Sequence, residues 1–296
     1  MKKNHFIFGY AGNKRQEVAM ISAHLNLDDI TTIVEPFCGT SALSCYLSIL
    51  YPNRFIYRLN DIDSKLIELY YLLQNEEKTK NLEDEYNECI KDMTKEKYTD
   101  IINQGGMLGY VLSHKHYYMK VGTYSSTRKP SHGKFCDTAI VKFLRNETVE
   151  ISNIDGETVM KEYKQSPTTI IYLDPPYLKT YNNAHYANSK NFFGIYEYLE
   201  SPDIKNYKSQ IYLHVLENAE LFNKIKFNFT ETQQQLFVAS FYSYLKYDKN
   251  TDFIINLDDI SVVRGRWLNV QKSEPIIQNS KDENNSVRVA AKISKR

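Results

Sequence analysis

Thr168-Thr169-Ile170-Ile171-Tyr172-Leu173-Asp174-Pro175-Pro176-Tyr177 is an apolar, β-rich run that ends abruptly in an acid, two prolines and a tyrosine. The run is short, β-branched and nearly continuous rather than alternating, which predicts a buried strand of a parallel sheet. Each proline fixes φ and lacks an N–H, so Asp174 to Tyr177 must leave the sheet as a stiff, extended turn at the strand's carboxyl end. In open α/β sheets that end is where ligands bind. Such a turn presents a carboxylate (Asp174), a carbonyl (Pro175) and an aromatic face (Tyr177) to one small planar group bearing an amine. Asp174 and the Pro175 carbonyl can each accept one hydrogen from the amine while Tyr177 stacks on its ring. An amine on a heteroaromatic ring is a poor nucleophile because its lone pair is delocalised. Two acceptors favour the pyramidal nitrogen, and the anionic one stabilises the positive charge that develops as nitrogen attacks an electrophile. The plainer alternative is a proline-rich turn after a core strand, with Asp174 as a capping acid.

The theme of a strand ending in an acid recurs upstream. Thr31 to Glu35 predicts a strand, followed by Pro36-Phe37-Cys38-Gly39-Thr40-Ser41 and a helix through Leu50. Strand, tight small-residue loop and helix make the first half of a nucleotide-binding βαβ unit, in which Gly39 lets the backbone approach a ligand closely. The loop is not GxGxxG and lacks a P-loop lysine, so it is a poor phosphate cradle. Glu35, closing the strand, suits a ligand that carries positive charge. Phe55 to Asp61 predicts a second strand, and Ser64 to Leu73 a helix with Leu66, Leu69, Tyr70 and Leu73 on one face. An acid at the tip of that strand is placed to hold a ribose diol. Asp61 could equally be a helix N-cap, a role that Asp63 or Ser64 would fill as well.

The N-terminal Phe8-Gly9-Tyr10-Ala11-Gly12-Asn13-Lys14 reads as a simple turn or as a loop over a ligand pocket with Tyr10 and Lys14 inward, before a helical pattern from Gln16 to Leu25. Asn75 to Asp100 is charge-rich and predicts a solvated helical pair. From His114 to Arg145 the chain carries Lys115, Lys120, Arg128, Lys129, Lys134, Lys142 and Arg145 against Asp137, interleaved with Tyr117, Tyr118, Tyr124 and Phe135. Cations track phosphates and aromatics stack on bases, so this is the best candidate nucleic-acid patch; lysine-rich loops are also commonly just solvated. Val149 to Asp155 predicts a third strand and its loop. Leu178 to Asn191 is a candidate lid. Gln210 to Val215, Leu236 to Phe241 and Phe253 to Leu257 predict further strands, with a helix after Glu217. Arg264, Arg266 and Trp267 form a small cluster with no motif, and the polar stretch from Gln271 onward predicts a disordered tail.

Composition bounds the answer. With 296 residues, 42% hydrophobic and 25% charged, the chain has the make-up of a globular protein of one large domain with an insertion or two smaller ones. The net charge is only +1, so any nucleic-acid surface must be local. No run reaches membrane-spanning length, and the N-terminus lacks a signal-peptide core. Cys38, Cys45, Cys89 and Cys136 show no CxxC spacing and read as reduced thiols of an intracellular protein. His114 and His116 lack the carboxylates of a metal site, so no metal is expected.

Taken together and in order, Tyr10-Ala11-Gly12-Asn13-Lys14, Glu35-Pro36-Phe37-Cys38-Gly39, Leu59-Asn60-Asp61-Ile62-Asp63 and Asp174-Pro175-Pro176-Tyr177 resemble the Dam-type S-adenosylmethionine-dependent DNA adenine-N6 methyltransferases. The resemblance implies an α/β, Rossmann-like class I methyltransferase sheet with helices on both faces and an inserted, mostly helical DNA-recognition subdomain. It implies a catalytic domain over residues 1–74 and 148–270, a recognition insertion over 75–147 and a tail over 271–296. It assigns the S-adenosylmethionine cleft to Tyr10, Ala11, Gly12, Lys14, Glu35, Phe37, Cys38, Gly39, Thr40, Asp61 and Ile62, with Asn153, Ile154 and Asp155 by the adenine ring of the cofactor and Asp174 at its edge. Asp174, Pro175, Pro176 and Tyr177 would hold a target adenine rotated out of the duplex, with Tyr177 replacing its lost stacking. Lys115, Lys120, Tyr124, Arg128, Lys129 and Lys134 are the candidate contacts to double-stranded DNA. No metal and no covalent protein nucleophile are implied, and the setting is intracellular: cytoplasm or nucleoid, in a host cell if the source is viral.

Two departures stand out. Ser41, or Thr40, occupies the place of the family's second glycine, and the recognition segment matches only at Gly122, Tyr124 and Pro130, so the family's common target sequence does not carry over. They motivate a second reading, a fold that no longer catalyses and serves as a binding or structural subunit. Proline-tyrosine loops of this kind also serve RNA bases and protein glutamine; the basic, aromatic insertion favours nucleic acid.

Overall fold

The computed structural model describes residues 5–10, 12–116, 121–127, 131–176 and 192–214, with two short strands beyond them. Strands β1 (Thr32–Glu35), β2 (Ile56–Asn60), β3 (Val149–Ser152), β4 (Thr169–Leu173) and β5 (Gln210–Leu213) form one sheet in the order β3-β2-β1-β4-β5. Every pairing in it is parallel. The chain winds outward from β1 to β3, then returns to the other side of β1 for β4. The strand order therefore reverses between β1 and β4, the point at which such sheets open a crevice at their carboxyl ends. Val34 pairs with Ile171, so Asp174 stands level with the loop that follows Glu35.

Strands β1, β4 and β5 are buried on both faces and read as nearly continuous apolar runs, whereas β2 and the edge strand β3 carry Arg58 and Glu150 and are partly exposed. Ile33, Tyr57, Ile170 and Tyr172 face one hydrophobic cluster, while Val34, Ile171, Leu173 and Ile211 face another. Helices α1 (Val18–His24), α2 (Ala42–Leu50) and α3 (Ser64–Gln74) supply Ile21, Leu43, Leu47, Leu66, Leu69, Tyr70 and Leu73 to the first cluster.

After α3 come α4 (Glu76–Cys89), α5 (Lys95–Gln104), α6 (Gly106–Lys115) and α7 (Ala139–Leu144). Asn75 and Thr94 start the first two by accepting N–H bonds from Lys78 and Lys97. The chain reverses between α5 and α6 at Gly105, whose φ of +73° lies in the left-handed region. Leu82, Tyr86, Tyr98, Val111 and Phe135 join the same cluster as Ile33 and Tyr57, so one core runs without a break from sheet to insertion. Helix α7 packs on α2 and α3, with the Phe143 ring edge-on to Tyr57 at 5.0 Å. On the other face lie α8 (Gly156–Glu162) and α9 (Phe192–Glu200), contributing Val159, Met160, Ile195 and Leu199.

Ile254–Ile255 pairs antiparallel with Val287–Arg288 in a separate ladder rather than extending the main sheet. The strand expected at 236–241, the helix after Glu217, the lid at 178–191, the Arg264–Trp267 cluster and the rest of the tail lie outside the described residues. Among the described residues no helix is long and apolar enough to cross a membrane. The four cysteines are free.

One buried amide ties the strand ends together. Asn60, at the end of β2 and 1% exposed, donates from Nδ2 to Pro36 O (3.0 Å) and Ile154 O (2.9 Å). Its Oδ1 accepts from Ser152 Oγ (2.8 Å) and from Ile154 N–H (3.0 Å). All four bonding positions of the side chain are used, and the loops after β1 and β3 are fixed to β2. Asn60→Ala strands two carbonyls and an N–H inside the protein and is expected to cost on the order of 3 kcal/mol. Denaturant titration measures it, as a lower midpoint with unchanged slope.

Candidate active site

The site is built at the carboxyl ends of β1, β2 and β4. Asp174 leaves β4 into the two-proline turn, and α9 steadies that turn through the Tyr196 hydroxyl, which donates to Pro176 O at 3.1 Å. The buried Lys14 ammonium lies 2.6 Å from Asp174 Oδ2 and donates to Gly12 O at 2.8 Å. Lys14 comes from a 3-10 turn, Lys14–Gln16, capped by Asn13 Oδ1, which accepts from Arg15 N–H at 2.9 Å. At the other end of this segment the Tyr10 ring sits against Gly39: a Cβ built on Gly39 would meet the ring edge at 3.6 Å. Tyr10 therefore touches the loop after β1, and Lys14, four residues on, pairs with the acid after β4.

The loop itself depends on left-handed backbone. Gly39 has φ +46°, a conformation glycine adopts at no steric cost. Ser41, which with Thr40 is one of the two positions where the second glycine was expected, is left-handed at φ +48°, and its N–H donates to Cys38 O at 2.6 Å. The serine accepts the left-handed cost, roughly 1 kcal/mol, and its hydroxyl lies 3.2 Å from that of Tyr70. Tyr70 in turn donates to Gly39 O.

Asp61 is not the helix cap. Asp63 takes that role, accepting from Lys65 and Leu66 N–H at 3.0 and 3.2 Å. Asp61 Oδ2 accepts from Gly39 N–H (2.9 Å) and Oδ1 from Asp63 N–H (3.0 Å), so the acid and the glycine loop form one unit. Burial raises its carboxyl to about 6, against the pull of these backbone donors. Each carboxylate oxygen retains lone-pair capacity for a further donor. Asn153 Nδ2 donates to Asp61 O at 2.7 Å, holding the loop after β3 alongside. Ile62 and Ile154, 54% and 38% exposed, present apolar surface at these two neighbouring strand tips. The Phe37 ring lies over Gly156, where a Cβ would come within 2.6 Å of it.

Other expected site residues do structural work. Glu35 is buried, and its Oε1 accepts from Ser44 N–H at 3.0 Å in the first turn of α2. Burial, opposed by Ser44 and reinforced by Asp174, raises its carboxyl to about 7. Cys38 N–H donates to Asn60 O at 2.8 Å, and its thiol is pushed up by burial and the neighbouring acids. Thr40 O lies 3.1 Å from His5 Nε2. Asp155 caps α8, accepting from Thr158 N–H at 3.0 Å. Of the expected DNA contacts, Lys115 turns inward: its ammonium donates to Ile7 O at 3.0 Å, between the Tyr86 and Phe135 rings at 5.2 and 5.5 Å. Tyr124 packs against Tyr98 and His116. Lys134 is exposed. Ala11, Tyr177, Lys120, Arg128 and Lys129 lie outside the described residues. Asn60 and Tyr196 were not singled out from sequence; for Asn60 the signal was present, an amide ending an apolar strand, whereas Tyr196 has only a tertiary role. Among the described residues no group of three or more His, Cys, Asp or Glu could hold a metal.

An all-parallel sheet in this order, between two helical layers, is an α/β Rossmann-like methyltransferase fold. Residues 10–120 match the family described as D12 class N6 adenine-specific DNA methyltransferase, and over that span the chain carries the pattern of that family. The span takes in the N-terminal bridge, the Gly39 loop and Asp61, and it ends before Asp174. None of the curated proteins gives a significant match.

Glu35 gives the site a pH signature. Its folded carboxyl titrates near 7 against an ordinary 4.5, so the folded state holds the proton more tightly than the unfolded chain. Its contribution is fully present below pH 4.5 and is lost as pH rises through 7. Glu35→Gln keeps an acceptor for Ser44 and removes the buried charge. Between pH 4.5 and 8 the wild type is expected to lose stability relative to this variant, by on the order of 3 kcal/mol, measured by denaturation of both proteins across that range.

Proposed function

We propose that this protein transfers a methyl group from S-adenosylmethionine to the exocyclic N6 amine of an adenine turned out of double-stranded DNA. The observation that carries the reading is the bridge at the switch point, where Lys14 pairs with Asp174 while Tyr10, in the same short segment, abuts Gly39. One short segment thus touches both the loop proposed to bind the donor and the acid proposed to bind the amine.

The residues present suit the cofactor. Gly39 is bare and left-handed beneath Tyr10, Asp61 has acceptor capacity for a ribose diol beside it, and Phe37, Ile62 and Ile154 offer apolar contact for a flat ring. When bound, S-adenosylmethionine supplies an already activated methyl group. This chain's own residues then have two tasks. Asp174 and the Pro175 carbonyl each accept a hydrogen of the target amine, orienting the nitrogen lone pair and stabilising the charge that grows on it. Tyr196 and the two prolines keep that turn from relaxing. Asp174 would also be placed to take the proton that the methylated nitrogen sheds. Residues 75–147 form the target-recognition insertion, with Lys120, Arg128, Lys129 and Lys134 against phosphates. Residues 1–74 and 148–270 form the catalytic part.

Transfer of labelled methyl from the cofactor into duplex DNA, followed by nucleoside analysis, is expected to yield N6-methyladenine. Asp174→Ala is expected to lower the rate at least about 100-fold while cofactor affinity stays within a few-fold. Full activity in Asp174→Ala would refute the assignment, and a wild-type protein that binds no cofactor would favour a non-catalytic binding subunit.

A further inference from the structure

His214 follows β5 and extends the β4–β5 ladder by one bond, its N–H donating to Leu173 O at 2.7 Å. It therefore stands beside the bend from which Asp174 emerges. Its side chain is fully buried, and its two ring nitrogens meet different elements. Nδ1 lies 2.7 Å from the hydroxyl of Tyr172 on β4. Nε2 lies 3.5 Å from Glu17 Oε2. Glu17 closes the 3-10 turn that carries Lys14, donating its N–H to Lys14 O at 2.8 Å.

A neutral imidazole with its hydrogen on Nε2 fits both partners: Nδ1 accepts from the phenol, and Nε2–H faces the carboxylate. Burial, and then the charge on Lys14, hold the ring well below the ordinary histidine range, so it stays neutral. A buried polar cluster of this kind is a poor way to gain stability, since apolar side chains of similar volume do as well or better. It does fix geometry. The Tyr172–His214 contact ties β4 to the end of β5, and Glu17 of the N-terminal turn that carries Lys14 lies beside the other ring nitrogen.

We propose that His214 is a positioning residue for methyl transfer: held by Tyr172 and facing Glu17, it sets where the Lys14 ammonium, and through it the Asp174 carboxylate, stands when the amine arrives. The proposal rests on Asp174 being the acceptor of the target amine, and misplacement of such a group by about 1 Å can cost about 100-fold in rate.

The test compares His214→Phe, His214→Gln and Tyr172→Phe in the full chain by two readouts. The first is acylation of Lys14 by a lysine-selective reagent, scored by peptide mass against the exposed Lys134, and it requires no activity. The second is kcat for methyl transfer together with cofactor Kd. His214→Phe is expected to speed Lys14 labelling about fivefold and to lower kcat at least about tenfold, with cofactor Kd within about twofold. His214→Gln, which keeps an N–H donor toward Glu17, restores most of both. Tyr172→Phe, which removes one hydroxyl and keeps the ring, moves both the same way by less and carries the test if His214→Phe does not fold. Lys14 labelling within about twofold of wild type in the Phe variants overturns the proposal. If the wild type methylates no adenine, the reading of the site fails, while the labelling rates still decide whether His214 positions Lys14.

Discussion

Three carboxylates, Glu35, Asp61 and Asp174, stand at one edge of a parallel sheet, and the fold must keep them there without mutual repulsion. Each is handled differently. Asp174 pairs with Lys14. Asp61 takes two backbone N–H groups, one of them from Gly39. Glu35 is buried against the first turn of α2, where the proton it retains up to about pH 7 removes the charge. A chemistry that needs one anionic acceptor beside a cationic donor is well served by such an edge.

The fold was legible because β1, β4 and β5 are buried on both faces, so they had to appear as short apolar runs, and β4 and β1 end in the acids and prolines where ligands bind. The acids and prolines at their tips marked the site. What the sequence hid was which polar group satisfies which. Asp61 and Asp63 are equivalent as candidate caps on paper, and only the backbone of α3 selects Asp63. Lys115 sits in a basic run that suggests phosphate contacts, yet it lies at the end of α6 facing Tyr86 and Phe135, and its charge is spent on Ile7 O. Helix α7 falls in the stretch expected to be an insertion but packs on α2 and α3, because local periodicity says which face is apolar and not what covers it. His214 gave no sequence signal, since its partners are separated from it by 42 residues in one case and by most of the chain in the other.

Ser41 shows a serine holding a left-handed turn: at φ +48° its hydroxyl lies 3.2 Å from that of Tyr70, the tyrosine that also donates to Gly39 O. Through Gly39 N–H the same loop is bonded to Asp61.

The proposed function requires the N-terminal segment, the Gly39 loop and the tip of β2 to form one cofactor cleft. Hydrogen exchange with and without S-adenosylmethionine tests it most directly. Amides in 10–14, 37–41 and 60–63 are expected to slow together at one ligand concentration. Slowing confined to other segments, with these three unchanged while the cofactor is bound, would contradict it.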